Sequence, residues 1–249
     1  MRAALCWLAT VLLLGGCTFF RSATVPMPIA HYPAPAANAN GLLVLLPGIG
    51  DDPEDYATNG FVEMVQRANP RFDVICADAH FGYYRSQSVA QRLHDDVIAP
   101  VAERYEHIWI GGISLGGLGS IAFLRDHKDL IDGAILLAPY MGEQEVIEEV
   151  RRAGGLRSWQ PRALPVDASA SVQLSHWLWT YYHAVAEHPE TMPELFLGYG
   201  EDDRFRISNG MVAETLPDRH KATLPGGHKW TVWKPLFAKL VPRALGSLR

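Results

Sequence analysis

The stretch HIWIGGISLGGLGS, residues 107–120, joins an apolar run to five glycines and a central serine. Residues 107–113 have the length and apolar character of a buried strand, whereas residues 115–127 favour a helix. The change from strand to helix falls at Ser114, between Gly112 and Gly116, in the pattern Gly-x-Ser-x-Gly. Such a sharp turn exposes the serine hydroxyl, and side chains two residues before and after it would clash. The stretch therefore predicts a nucleophilic serine.

The rest of the chain repeats this alternation of strand and helix. Apolar runs of strand length lie at 41–48, 72–78, 107–113, 133–139, 194–200 and 220–226. Helix candidates lie at about 60–69, 88–104, 115–127, 206–216 and 230–245. Strands that are apolar throughout have both faces covered. The pattern predicts a three-layer α/β fold, with a mostly parallel sheet of about six strands and helices on both faces.

A serine hydroxyl needs a base to become a nucleophile, and histidine is the usual one. His228 is the candidate among ten histidines, because LPGGHKW places it on a glycine-rich turn after the last predicted strand. Ligand-binding residues gather at the carboxyl ends of strands in such sheets. His176 and His183 share a predicted helix, but their spacing is too wide for them to share a metal ion. His228 is therefore the predicted base.

An acid should hold the histidine in the correct orientation. The turn after the strand at 194–200 carries Glu201, Asp202 and Asp203, so the acid is expected among these three. A solvated acidic turn or a helix cap is the alternative role for at least two of them. The resulting order along the chain is Ser, Asp, His.

The oxyanion of an acyl-transfer reaction needs two backbone donors. The amide of Leu115, directly after the serine, is one candidate. The sequence LLPGIGDD supplies the other, because Gly48 and Gly50 allow the backbone near Ile49 to approach a ligand. The predicted oxyanion donors are therefore the amides of Ile49 and Leu115.

Together these motifs resemble the α/β-hydrolase superfamily from about residue 41 to the C-terminus. LLPGIG resembles its oxyanion loop, although Pro47 stands where the family often has histidine. GGISLGG resembles its nucleophile elbow, and GGH its histidine loop. GYGEDDRF resembles its acid turn, which assigns Asp203 as the triad acid and leaves Asp202 as the alternative. The family's first two strands have no clear counterpart, so the resemblance implies strand order 4-3-5-6-7-8 by the family's count.

The resemblance implies a serine hydrolase that cleaves carboxylic esters, acyl or lipid, through an acyl-enzyme. It implies no metal and no organic cofactor. Thioesterases, amidases, peptidases and acyltransferases use the same framework, so the fold does not choose among these reactions. A binding protein of the cell envelope that keeps the framework without turnover is the alternative from another class.

Residues 142–193 interrupt the alternation, since no strand run occurs there. They contain two helix candidates, and the second is rich in aromatic residues. We expect this insertion to form a helical cap over the carboxyl ends of the strands. Its aromatics would then suit an acyl pocket, and they suit plain packing onto the core equally well: Trp177, Trp179, Tyr181 and Tyr182.

The N-terminal residues MRAALCWLATVLLLGGC predict a secretory signal, because a short apolar run follows one arginine and ends in small residues. LLGGC resembles the bacterial lipobox, which implies lipidation of Cys17 and removal of residues 1–16. An ordinary cleaved signal or an uncleaved anchor is the alternative. Residues 17–40 then form a lipid-anchored, proline-rich arm, and 41–249 form the hydrolase domain. The predicted location is the cell envelope, at the outer membrane or the periplasmic face.

Composition and net charge limit the classes of binding partner that the sequence predicts. The net charge is -5 and no basic stripe occurs, so nucleic acid is not expected as a partner. Membrane contact is expected only through the lipid anchor, and nothing in the sequence indicates an oligomeric state. Cys76 is the only cysteine after Cys17, so no disulfide within the domain is expected. Its place in an apolar run favours a buried side chain over a nucleophile.

Overall fold

The computed structural model describes residues 21–248 and contains one sheet covered by helices. The strands are β1 (Ile29–Tyr32), β2 (Gly41–Leu46), β3 (Phe72–Ala77), β4 (His107–Ile113), β5 (Gly133–Leu137), β6 (Glu194–Gly200) and β7 (Lys221–Leu224). The α-helices are α1 (Glu54–Thr58), α2 (Phe61–Ala68), α3 (Phe81–Arg85), α4 (Val89–Arg92), α5 (Leu115–His127), α6 (Gln144–Arg152), α7 (Ala170–Glu187), α8 (Arg206–Ala213) and α9 (Trp230–Leu245).

The order of the strands across the sheet is β1-β3-β2-β4-β5-β6-β7. Strands β2 to β7 pair in parallel, in the order that the family resemblance implies. Strand β1 adds a seventh, antiparallel to β3, within the proline-rich arm. Because Pro28 and Pro33 flank its four residues, its sequence resembles a linker. An edge strand tolerates flanking prolines, since one side of it needs no hydrogen-bond partners.

Successive residues of the central strands point to opposite faces of the sheet, as strand geometry requires. In β2, Leu42 and Val44 belong to one core cluster, whereas Leu43 and Leu45 belong to the other. The first cluster also contains side chains of α4 to α8, and the second contains those of α2 and α9. The sheet is therefore the middle of three layers, as the apolar runs predict.

The helix predicted at 88–104 is shorter and less regular than expected. It begins as α4, widens into a π-helical segment at Leu93–Ile98 and ends in a 3-10 turn at Ala102–Arg104. Pro100 accounts for the break, because it has no N–H to donate and clashes with the preceding turn of a helix.

The insertion 142–193 contains α6 and α7, the two helices predicted there. Helix α7 precedes β6 in the chain and packs in the cluster that contains α5. The indole of Trp179 donates to the carbonyl oxygen of Met141 at 3.0 Å, and Trp179 and Tyr182 are fully buried. These two aromatics pack into the core. A capping role for the insertion stays a prediction.

Cys76 is buried and free, as predicted, and burial raises the pKa of its thiol to about 12. Within residues 21–248, no helix has the length and apolar character needed to cross a bilayer. The predicted signal segment 1–16 and the predicted lipidation site Cys17 lie outside the described residues.

Candidate active site

Ser114 connects the end of β4 to the start of α5, and its backbone is strained. Its φ of 54° and ψ of -111° lie outside the regions that L-residues normally occupy. Its N–H donates to the carbonyl oxygen of Leu137 at 2.9 Å, and its own carbonyl oxygen accepts from Tyr140 at 3.0 Å. The neighbouring end of β5 thus holds the strained residue in place. Strain that the surroundings maintain in this way is typical of functional residues.

The glycines around Ser114 are required by close approach of the backbone. A Cβ on Gly112 would lie 2.3 Å from the carbonyl carbon of Gly116. A Cβ on Gly116 would lie 2.0 Å from the carbonyl oxygen of Leu46, at the end of β2. No side chain fits at either position, which is the steric reason given above for the Gly-x-Ser-x-Gly pattern.

Asp203 and His228 meet at the carboxyl ends of β6 and β7. Nδ1 of His228 donates a hydrogen bond to Oδ2 of Asp203 at 2.8 Å. The other carboxylate oxygen, Oδ1, accepts from the N–H of Phe205 at 2.8 Å. Asp203 is fully buried, so both of its oxygens are held by protein donors. This contact leaves Nε2 as the imidazole nitrogen available to a reacting group.

The other two acids of the turn have different partners. The side chain of Asp202 accepts from the N–H of Gly226 at 3.2 Å, and its own N–H donates to the carbonyl oxygen of Gly226 at 3.0 Å. The carboxylate of Glu201 accepts from the hydroxyl of Thr223 at 3.1 Å. Asp202 therefore ties the acid turn to the histidine loop, whereas Asp203 contacts the histidine itself.

Two aromatic rings flank the imidazole of His228. The ring centroids of Phe205 and Trp233 lie 5.1 and 4.8 Å from that of His228, and both meet it edge to face. Together with the hydrogen bond to Asp203, these contacts fix the plane of the imidazole. A base that is held in one orientation loses little freedom when it accepts a proton.

The segments predicted to supply the oxyanion donors also lie side by side. Leu115 is the first residue of α5, so its N–H has no acceptor within the helix. The turn after β2 is closed by the N–H of Asp51, which donates to the carbonyl oxygen of Gly48 at 3.2 Å and leaves the N–H of Ile49 outside that bond. A Cβ on Gly48 would lie 3.6 Å from the carbonyl oxygen of Ile113. The loop carrying Ile49 therefore borders the nucleophile elbow.

Asp51, which no sequence motif singles out, connects this loop to the predicted histidine loop. Its Oδ1 accepts from the indole N–H of Trp230 at 3.2 Å, and Trp230 follows His228 by two residues. Its Oδ2 lies 2.6 Å from the position that a Cβ on Gly48 would take. Burial raises the pKa of Asp51 above its usual value, and the Trp230 hydrogen bond and the charge of His228 oppose that rise.

The acidic pair after GIG and the tryptophan after GGH were the only sequence signals for this connection. Neither motif predicts a contact between the two residues, because the fold alone brings them together. Asp51 ties the predicted oxyanion loop to the predicted histidine loop, and Gly48 of the same loop borders the turn that carries Ser114. This convergence of loops is what the three predicted catalytic residues require.

The two histidines on α7 serve packing. Their rings lie 5.2 Å (His176) and 6.1 Å (His183) from that of Trp159, and both meet it edge to face. Among residues 21–248, no group of three or more His, Cys, Asp or Glu side chains is arranged to hold a metal ion.

No protein-family model matches this chain, and no curated protein sequence matches it. Solved structures do resemble it. The S-formylglutathione hydrolase of Staphylococcus aureus gives a TM-score of 0.58 at 15% identity, covering 89% of this chain and 96% of its own. The monoacylglycerol lipase of Paleococcus ferrophilus gives 0.55 at 19%, covering 89% and 98%. Est1E from Butyrivibrio proteoclasticus gives 0.55 at 18%, covering 90% and 96%.

Proposed function

Because the chain has the α/β-hydrolase fold, we propose that it is a serine hydrolase that cleaves carboxylic esters through an acyl-enzyme. The hydrogen bond between His228 and Asp203 carries the proposal. It orients an imidazole at the same edge of the sheet that carries Ser114 with its strained backbone. Structural neighbours named as an S-formylglutathione hydrolase and a monoacylglycerol lipase support hydrolysis of acyl groups.

In the first half of the reaction, Oγ of Ser114 bonds to the carbonyl carbon of the ester as Nε2 of His228 takes its proton. The carbonyl electrons move onto oxygen, where the amides of Ile49 and Leu115 donate to it. The carbon–oxygen bond to the leaving group then breaks, and His228 gives its proton to the departing alkoxide. Removing one oxyanion donor typically lowers the rate about a hundred- to a thousandfold.

In the second half, water attacks the acyl-enzyme and His228 takes one proton from it. The bond between the acyl carbon and Oγ of Ser114 breaks, and the proton returns to Oγ. Asp203 stays ionised throughout and stabilises the imidazolium, as in other triads of this type. The products are a carboxylic acid and an alcohol, and no cofactor takes part in these steps.

A fluorophosphonate probe tests this proposal, since it reacts covalently with activated serines. We expect the wild-type protein to be labelled and Ser114→Ala to remain unlabelled. A panel of oxygen esters and thioesters of graded acyl length then separates esterase from thioesterase activity. A wild-type protein that folds but takes up no label contradicts the proposal and favours the binding protein of the cell envelope.

We further propose that Cys17 is lipidated and holds the enzyme in the bacterial cell envelope, with acyl or lipid esters as substrates. The lipobox-like sequence before Cys17 supports this location. Mass spectrometry of the mature N-terminus tests it. A diacylated or triacylated Cys17 is the expected result, and a free N-terminus at any other residue contradicts it.

A further inference from the structure

The first described residues lie beside the predicted oxyanion loop. We call the edge where the parallel strands end the carboxyl edge. The guanidinium of Arg21 donates to the carboxylate of Asp78 at 3.2 Å and lies 3.7 Å from that of Asp52. Asp78 directly follows β3, and Asp52 belongs to the loop that carries Ile49. The arm therefore joins the domain at the carboxyl edge.

The arm is fixed along its first described residues. The carbonyl oxygen of Arg21 lies 2.3 Å from the position that a Cβ on Gly82 would take. The N–H of Thr24 donates to the hydroxyl of Tyr83 at 3.2 Å. These contacts place Arg21 against α3, which follows the carboxyl end of β3. A tether attached here acts on a defined point of the domain.

The predicted anchor residue stands only four positions before Arg21 in the sequence. Four residues span at most about 14 Å even when fully extended. A domain of this size has a radius of gyration of about 17 Å. A lipid on Cys17 therefore reaches the membrane from the carboxyl edge and cannot do so from the opposite edge of the sheet.

Exposed apolar side chains are also unequally distributed between the two edges of the sheet. Four of the seven large exposed ones among residues 21–248 belong to the arm, to the loop after β2 or to the first turn of α8, all near the carboxyl edge: Val25, Ile29, Ile49 and Ile207. Leu130 alone lies next to the amino end of a strand, and the other two belong to the insertion. A bilayer surface accepts such side chains, whereas bulk water does not favour them.

We propose that the lipid anchor holds the carboxyl edge, and with it Ser114 and His228, against the membrane leaflet. The substrates are then acyl esters resident in that leaflet, reached without release into water. This inference rests on the proposed hydrolase function and on lipidation of Cys17. Arg21 acts as the fixed point between the anchor and the site.

Changing the tether length tests the consequence for activity. Twenty Gly/Ser residues are inserted between Phe20 and Arg21 of the full lipoprotein, which adds a root-mean-square reach of about 25 Å. The control carries the same twenty residues after Arg249. Both are reconstituted in phosphatidylcholine vesicles that contain a long-chain acylglycerol ester.

We expect the insertion before Arg21 to lower hydrolysis of the vesicle ester at least about fivefold, because the site then samples a larger volume. Hydrolysis of a short water-soluble ester should stay within about twofold of wild type, as should both rates of the control. An unchanged rate on the vesicle ester overturns the inference. If the wild-type protein does not hydrolyse the short water-soluble ester at all, the hydrolase function itself is contradicted.

A second experiment measures the orientation of the domain relative to the membrane and does not depend on catalytic activity. Ile207→Cys and Leu130→Cys place a dye at exposed positions of the two edges, and the buried Cys76 stays unlabelled. Spin-labelled lipid in the vesicles should quench the dye at position 207 several times more strongly than the dye at position 130. Equal quenching, stronger quenching at 130, or a mature N-terminus without lipid overturns the inference.

Discussion

The two edges of the sheet use their polar side chains in different ways. At the edge where the parallel strands begin, polar groups link neighbouring segments in pairs, as when the guanidinium of Arg157 donates to the carbonyl oxygen of Ala186 at 2.8 Å. At the carboxyl edge, Ser114, Asp203 and His228 come from three separate loops and lie where those loops converge. The difference separates polar groups that link packed segments from polar groups that the proposed reaction would use.

The arrangement at the carboxyl edge costs stability locally. Ser114 has a disfavoured backbone conformation, and a fully buried carboxylate at Asp203 loses its hydration. Strain of the first kind costs of order 1–3 kcal/mol. The remaining structure supplies this energy through two large apolar clusters. Both of these local costs fall at the carboxyl edge of the sheet.

Replacing Ser114 by alanine should give the largest loss of activity in the molecule. Without Oγ no acyl-enzyme forms, so we expect hydrolysis of a soluble ester to fall at least about 10⁵-fold. Steady-state kinetics measure the loss, and thermal unfolding should show a Tm close to that of wild type. Turnover at the wild-type rate would place the nucleophile elsewhere.

The pair Asp203→Asn and Asp202→Asn separates the two kinds of polar group within one turn. Asp203→Asn should lower kcat by about 10³- to 10⁴-fold, because an amide no longer holds the imidazole in its reactive tautomer. Asp202→Asn should change kcat less than about fivefold, since Asp202 contacts the backbone of Gly226 and the asparagine amide oxygen can still accept that hydrogen bond, which is worth about 1 kcal/mol. The reverse order of effects would assign the triad acid to Asp202.

Asp51 sharpens the comparison, because it acts on the site through another residue. Asp51→Ala and Trp230→Phe each remove the hydrogen bond that ties the oxyanion loop to the histidine loop. We expect each to lower kcat about tenfold and to leave KM nearly unchanged, since a hydrogen bond to a charged carboxylate is worth about 1.5 kcal/mol. Asp51→Asn keeps an acceptor for the indole and should retain most activity.

The double variant Asp51→Ala with Trp230→Phe provides the control for this pair. Two changes that remove the same contact should not add, so the double variant should lose about as much as either single one. Fully additive losses would show that Asp51 and Trp230 act independently of each other. Circular dichroism checks that all of these variants keep the fold.

Sequence reasoning predicts the parallel part of this fold because burial on both faces requires long apolar runs. It predicts the geometry around Ser114 for a steric reason, since Gly112 and Gly116 allow contacts that no other residue permits. Strand β1 was missed because two prolines flank it and its partner strand, β3, is distant in sequence. Its pairing is decided by tertiary contact rather than by its own composition.

The residues of the candidate site likewise differ in how well the sequence predicts them. A motif with a steric cause points to Ser114, and its place on a glycine-rich turn points to His228. Three neighbouring acids are chemically equivalent in the sequence, so the residues alone do not choose Asp203, and the observed contact with His228 depends on how the turn closes. The link from Asp51 to Trp230 spans 179 positions along the chain and follows from no local pattern.

His220, at the amino edge, should affect stability and leave catalysis unchanged. Its ring stacks on Phe196 at 4.2 Å, and burial lowers the pKa of its imidazole below the usual 6.5. The unfolded chain therefore binds the proton more readily, so the native state loses stability as the pH falls below about 6.5. His220→Phe keeps an aromatic ring and removes this titration. The drop in Tm between pH 7 and pH 5.5 should then shrink by roughly 2 °C.

The exposed His188 provides the matched control, since its side chain is 69% accessible. His188→Gln should leave the drop in Tm unchanged, and both variants should hydrolyse a soluble ester at the wild-type rate at pH 7. A large loss of activity in His220→Phe would contradict the division between the edges, because a histidine beside the amino end of β6 would then act on a reaction at the opposite end of the same strand.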